Sequence, residues 1–143
     1  MIREATPDDI DQIAVLGERE LLESHYGNFL ALNRKAMKAL ALMLIEEPHG
    51  LLLVDEFYGE LAGMLGVVAT IHPYSGESIL SQWFWYCAPE ARGGGVKLFL
   101  AAEKWAQENG VIHSVMGAPN ERVAKFYMRM GYVPLETHFI KTL

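Results

Sequence analysis

The residues best equipped for chemistry lie late in the chain. Ala91-Arg92-Gly93-Gly94-Gly95-Val96-Lys97-Leu98 joins an aromatic-rich apolar run to a segment with helical spacing. The first amides of a helix find no acceptor inside it and carry the positive end of its dipole. Glycines let a phosphate approach those amides closely, and Arg92 adds a charged donor. The run is therefore either a phosphate cradle or a plain flexible turn, and three glycines alone do not separate the two. Two phosphate fingerprints fail: GxxxxGK[ST] is absent, and GxGxxG breaks at Leu98, where its third glycine should stand.

Other reactive side chains read first as structure. Tyr127 shares an apolar helical face with Val123, Phe126 and Met130, and Asn120 stands where a helix cap belongs. Cys87 lies in an apolar strand with no histidine near it in sequence, so it reads as a small buried residue. The histidines at 25, 49, 72, 113 and 138 show no metal-ligand spacing. His113 reads as structural, and Glu46-Glu47 as a solvated helix end. Alternation along the strand makes about half of Trp83, Trp85 and Tyr86 core and leaves the rest to line a pocket.

The chain has 143 residues, 51% hydrophobic and 21% charged, which suits one domain with one core. Net charge is −6 and the cations are scattered, so a nucleic-acid partner is not expected and a cationic one would be welcome. The single cysteine allows no internal disulfide and fits a reducing cytoplasm. The start, Met1-Ile2-Arg3-Glu4-Ala5, has no apolar signal core. The strongest apolar run, Leu61 to Ile71, is far short of the ~20 residues that cross a bilayer. A soluble, cytoplasmic protein without membrane partners is expected.

The elements that must position these residues follow a readable order. Ile2 to Ala5 is a short strand. Thr6-Pro7-Asp8-Asp9 starts a helix that runs to about Ser24. Asn33 caps a second helix, with Met37, Leu40, Ala41, Leu44 and Ile45 on its apolar face and Pro48-His49-Gly50 as its stop. Leu51–Phe57 and Glu60–His72 are strands joined at Tyr58-Gly59, and Ser78–Cys87 is a third. Helix from about Val96 to Glu108, strand Val111–Met116 and a helix capped by Asn120 come next. Tyr132-Val133 and His138–Lys141 are closing strands. The helix between Cys87 and Val111 implies one parallel pair in a mostly antiparallel sheet.

Cys87-Ala88-Pro89-Glu90-Ala91-Arg92-Gly93-Gly94-Gly95-Val96 resembles the acyl-CoA loop of the GCN5-related N-acetyltransferases, whose core pattern is [QR]-x-x-G-x-[GA]. Arg92 and Gly95 match, while Lys97 stands where glycine or alanine is usual. The stretch from Asn120 to Tyr132 is similar to the second family signature, N-x-x-A-x-x-x-Y-x-x-x-G-[FY], through Asn120, Tyr127, Gly131 and Tyr132, with Val123 at the alanine position and Ala124 one residue beyond it. The hairpin Val54–Gly63 and the opening Ile2–Asp9 are also typical, so the resemblance spans nearly the whole chain. The aromatic strand and the Glu136–Lys141 tail resemble phage-encoded members.

The resemblance implies an α/β fold: a mixed, mostly antiparallel sheet with helices on both faces, splayed where the cofactor enters. It implies transfer of an acetyl group from acetyl-CoA to an amine in one ternary complex, with no metal, because a thioester is already activated. The amides near Gly94, Gly95, Val96, Lys97 and Leu98 would hold the pyrophosphate, helped by Arg92 and by the turn at Gly93. The pantetheine arm would lie between the Ser78–Cys87 and Val111–Gly117 strands. Backbone near Trp85 and Cys87 would bond its amides and place the thioester carbonyl. Asn120 would contact the arm. Tyr127 would protonate the leaving thiolate, since a phenol of ordinary pKa ~10 keeps its proton at neutral pH.

A proton acceptor for the amine is not settled by sequence. Glu77, His72, Glu23, His25 and a water chain are the candidates, and no acid lies within Ile79–Ala88. The acceptor itself, a small amine or a protein amine, is unread; its walls would come from the Leu22–Asn33 and His72–Glu77 segments. Exposed strand edges near the C-terminus would suit a homodimer. Lys97 and the missing base leave a second reading, the same fold used as a binding or structural module such as a phage component. A nucleotide-binding module of another family is a third.

Overall fold

The computed structural model describes residues 1–91 and 93–143. Five strands form one sheet in the order β1 (Ile2–Glu4), β2 (Gly50–Phe57), β3 (Glu60–Ile71), β4 (Ser78–Cys87) and β5 (His113–Val115). The first three pairings are antiparallel and β4·β5 is parallel. Tyr58 and Gly59, with φ of 51° and 80°, make the tight β2–β3 turn, where two successive left-handed residues match the strand twist.

Strand alternation divides the core into two layers. Leu52, Val54 and Met64 pack under α1 (Ile10–Glu23) and α2 (Arg34–Glu46). Leu51, Leu53, Leu65 and Val67 face the opposite way and pack on α3 (Gly94–Glu108), through its Leu98, Ala102 and Ala106. The first helical segment begins with a 3-10 turn over Pro7–Asp9. There Asp9 accepts the Thr6 N–H at 2.8 Å and is gripped by both terminal nitrogens of Arg3 at 2.8 and 2.9 Å. Arg3 also reaches Glu56 at 2.8 Å, tying β1, β2 and α1 at one corner. That guanidinium holds the Asp9 carboxyl down at about 2. No helix among the described residues is long and apolar enough to cross a membrane.

The expected mixed sheet with helices on both faces is present, with three differences. First, α3 starts at Gly94 rather than near Val96. Gly93 turns the chain at φ 97°, and a side chain on Gly94 would collide with the Asp55 carboxylate, so helical backbone begins among the glycines themselves. Second, β5 is shorter than Val111–Met116. The Val111 N–H is spent on Ala106 O at 3.0 Å, capping α3 around Gly110 (φ 73°), and so cannot join a ladder.

Third, the closing strands at Tyr132-Val133 and His138–Lys141 are not formed. Among the described residues no strand follows α4 (Glu121–Arg129), and β5 ends the sheet. A three-residue β5 offers little edge to pair with, and Pro134 has no N–H to contribute. Val133, Leu135 and Phe139 remain exposed.

Candidate active site

The site is organised by β4, whose two ends differ. At Ile79–Ser81 it pairs with His113–Val115 of β5. Beyond Ser81 the two strands part. On its other edge β4 follows β3 throughout, but with a slip: Val67 lies opposite Gln82 and Gly66 opposite Phe84, so Trp83 is an extra residue. A bulge of this kind re-aims every following side chain. Leu80 belongs to the α3 layer, whereas Phe84 and Tyr86, of the same parity, belong to the α1–α2 layer and Trp85 packs toward α3. Gly66 makes this possible, since its missing side chain leaves room for the Phe84 ring.

The bulge also decides which backbone groups face the fork. The Ala88 N–H bonds to Ala62 O of β3 at 2.7 Å. By alternation, the amides of Trp85 and Cys87 point away from β3, into the gap that β5 leaves. The Trp85 N–H is met there by Oε1 of Glu20 at 3.4 Å, a long bond. The family resemblance implies that backbone at Trp85 and Cys87 serves an extended ligand, and this is the edge on which both amides are presented.

Gln82 sits at the point of the fork. Its Oε1 accepts the Gly117 N–H at 3.1 Å and the Tyr127 O–H at 3.1 Å, and the same hydroxyl lies 3.3 Å from Gly117 O. Tyr127 is 5% exposed, in an aromatic cluster from three elements and the residues after α4: Trp85 at 5.9 Å, Phe99 at 5.8 Å and Tyr132 at 5.3 Å between ring centroids. Burial raises its phenol well above the ordinary value. Its proton is therefore in place at neutral pH, as a donor requires. The α4 helix that carries Tyr127 is capped by Asn120, whose side chain accepts the Val123 N–H at 3.0 Å.

The glycine loop lies at the open end of β4. Gly95 faces Cβ of Cys87 and the indole of Trp85, each 3.6 Å from where its own Cβ would stand. Val96 and Lys97 are exposed on the first turn of α3, and Leu98 is fully buried, packed where Gly63 leaves space. The Leu98 side chain is thus a core residue. The Cys87 thiol donates to Ala91 O at 3.1 Å, and burial pushes its pKa up, away from thiolate chemistry. Arg92 lies outside the described residues.

Not every expected residue is brought to this place. Glu77 precedes β4 at its paired end, with its carboxylate 3.3 Å from Nε2 of His113. Five residues of strand, on the order of 16 Å, separate it from Gln82. His72 caps its own loop, accepting the Tyr74 N–H at 3.1 Å.

Two residues that sequence reasoning passed over are at the fork instead. Gln82 was a polar residue in an aromatic run. Glu20 falls seven residues after the fully buried Ile13, on the face of α1 where an apolar side chain would be expected. Burial pushes its carboxyl up to about 7, against the opposing effect of the Trp85 N–H.

A forked sheet that presents strand amides beside a helix N-terminus, with a buried phenol at the fork, has the donors that an extended, anionic ligand would need. Residues 18–132 match the acetyltransferase (GNAT) family, and the chain belongs to it. No curated protein matches the chain. Solved structures share the fold. One is a possible acetyltransferase from Clostridium difficile 630, 16% identical, with 100% of this chain and 96% of that one covered and a TM-score of 0.77. Another is an aminoglycoside acetyltransferase from an uncultured soil metagenomic sample, in complex with sisomicin, 18% identical over 100% and 95% of the two chains, TM-score 0.73. A third is a transcriptional regulator from Bacillus halodurans, 23% identical over 97% and 99%, TM-score 0.74.

Proposed function

We propose that the chain is a single acyl-CoA-dependent N-acyltransferase domain that moves an acetyl group from acetyl-CoA to an amine. The observation that carries this is the convergence of the Tyr127 hydroxyl, Gln82 and the outward amides of Trp85 and Cys87 along one open strand edge. The residues present fit the cofactor. Gly94, Gly95 and Val96 open α3, where amides have no acceptor inside the helix, and Gly95 is a position that a larger side chain would fill. Those amides hold the pyrophosphate, with Gly93 making the turn before them and Arg92 supplying charge.

Acetyl-CoA brings an acyl group already activated as a thioester. The protein's part is to orient it and to move protons. The Trp85 and Cys87 backbone extends the sheet pattern along the pantetheine arm. The Tyr127 O–H, which donates to Gln82 Oε1 beside Gly117 O, would turn to the leaving sulfur to protonate it. Asn120 starts α4 and so sets the direction from which Tyr127 enters, with its remaining bonding capacity turned to the arm. The proton of the attacking amine needs an acceptor. Glu77, ion-paired at the other end of β4, is one candidate that mutation can test.

The acceptor is an amine, and the net charge of −6 favours a cationic one. The polyamine sugar sisomicin, bound by the metagenomic neighbour, belongs in a first panel beside spermidine and a lysine-bearing peptide with a free N-terminus. The first experiment is calorimetric titration of acetyl-CoA into the wild type and into Gly95→Glu. A Cβ at this position meets only ordinary contacts at 3.6 Å, so the variant should fold, while its carboxylate should repel the pyrophosphate. Binding to the wild type that weakens at least about 100-fold in the variant, roughly 2.7 kcal/mol, is the expected result. A wild type that does not bind acetyl-CoA overturns the enzyme reading and leaves a fold used for another purpose.

A further inference from the structure

We infer that Glu20 is the residue that accepts the amine proton, a role that rests on the acyltransferase reading above. Four observations place it there. Glu20 projects from α1 to the open edge of β4, and its carboxylate is bonded to the Trp85 N–H. That N–H is one of two amides the bulge turns into the fork. Tyr127 approaches the same stretch of β4 from the opposite layer, its ring 5.9 Å from that of Trp85. Finally, a carboxylate on the inward face of an otherwise apolar helix costs stability, which a task would account for, and among the described residues no cation is bonded to this one.

The arrangement puts a proton donor and a proton acceptor on the two sides of one strand edge. A carbonyl oxygen competes well for the Trp85 N–H, because the bond to Glu20 is long at 3.4 Å. Once displaced, the carboxylate remains beside the carbonyl, on the α1 side. The bookkeeping of atoms closes. The amine nitrogen forms a bond to the carbonyl carbon, and the carbon–sulfur bond breaks with its electron pair on sulfur. Sulfur takes the Tyr127 proton, and the nitrogen proton goes to Glu20. Water then restores both side chains, so the net products are the amide and free CoA. Nitrogen becomes strongly acidic as its new bond forms, so a carboxylate can accept its proton.

The surrounding titratable groups do not supply a rival at the same place. On α1, Arg19 is engaged with Glu90 at 3.0 and 3.2 Å and lies 5.7 Å from the centre of the Tyr86 ring. Glu23 lies one turn further along α1, toward Tyr86, and His25 and Tyr26 follow in the turn beyond. On β4, Tyr86 points into the α1–α2 layer, where burial pushes its phenol up to about 12. Tyr127 comes from α4 on the other side.

The test uses the full chain as wild type, Glu20→Gln, Glu77→Gln and Tyr127→Phe. The Trp85 backbone amide is followed by 15N NMR against pH without ligand, and then with acetyl-CoA. In the wild type its shift should titrate with a midpoint near 7 and move again when acetyl-CoA binds; in Glu20→Gln the titration should vanish while acetyl-CoA still binds. In turnover with the amine panel, read as CoA thiol release, Glu20→Gln should lower kcat/KM by roughly 10²-fold or more and lose the rise through neutral pH. Tyr127→Phe should keep that rise. A Trp85 amide indifferent to pH in the wild type, or a pH profile unchanged in Glu20→Gln, overturns the assignment alone; so does loss of the rise in Glu77→Gln instead. A wild type that binds no acetyl-CoA, or releases no CoA with any amine of the panel, overturns both this assignment and the acyltransferase reading.

Discussion

Between Ile79 and Ser81, β4 is paired on both edges; between Gln82 and Cys87 it is paired on one. The backbone is the same kind of polymer in both halves, and the flanking strand β3 is common to them. What differs is a single extra residue, Trp83, and the early end of β5 at Val115. In the closed half every strand amide is consumed by structure, and Glu77 and His113 meet there as an exposed pair. In the open half strand amides are left for something else. Side chains occupy the gap provisionally: Gln82 bonds Gly117, and Glu20 bonds Trp85. The candidate site is an interrupted sheet, and the proposed fit to an extended partner rests on that interruption.

That comparison can be broken most severely at the fork's proton donor. Tyr127→Phe keeps the ring in its aromatic cluster and removes only the hydroxyl. The expected outcome is a fall in kcat of about 10²-fold with acetyl-CoA affinity within about twofold. Steady-state kinetics beside calorimetry check it, and a kcat within about threefold of wild type would remove Tyr127 from the chemistry.

Gln82→Ala probes the hinge between the halves. It removes one acceptor shared by the exposed Gly117 N–H and the Tyr127 hydroxyl, so kcat should fall about tenfold and stability by about 0.5–1 kcal/mol. Urea unfolding and turnover measured on one preparation test both. If stability falls and kcat does not, Gln82 only braces the fork.

The smallest effect is a pH dependence that belongs to the open half. The Glu20 carboxyl is raised from 4.5 to about 7 in the folded state, mainly by burial. The folded protein therefore holds this proton more tightly than the unfolded chain. The favourable contribution is whole below pH 4.5 and is lost as pH rises toward 7, by roughly 1–3 kcal/mol. Asp9, held down at about 2 by Arg3, changes only at much lower pH and does not interfere. Unfolding free energies at pH 5 and pH 8 should differ less in Glu20→Gln than in the wild type. Equal differences would mean that Glu20 is solvated.

Much of the site was legible from residue order. Asn120 caps α4 and Tyr127 lies on its inner face, because capping and 3.6-residue periodicity are local. Gly93 takes a left-handed φ that few residues adopt, and the glycine loop does open a helix. The Trp85 and Cys87 amides face the fork. Glu20 was not legible as a site residue, because its partner is 65 positions away and only α1 packing on β4 brings them together. Glu77 looked eligible by type and loop position, and the strand places it at the paired end of β4 beside His113. The closing strands were inferred from alternation, which reports that a segment can be a strand and not whether an edge exists to receive it.

Local sequence specifies the helices, the hairpin turn and the family signatures, since each rests on contacts within a few residues or on simple periodicity. Only the tertiary structure decided where β4 leaves β5, which amides the Trp83 bulge turns outward, and which carboxylate of the eighteen acidic residues stands at the fork. The physical reason is that strand register and helix docking are set by side chains meeting across the fold, and a shift of one residue reverses every face beyond it.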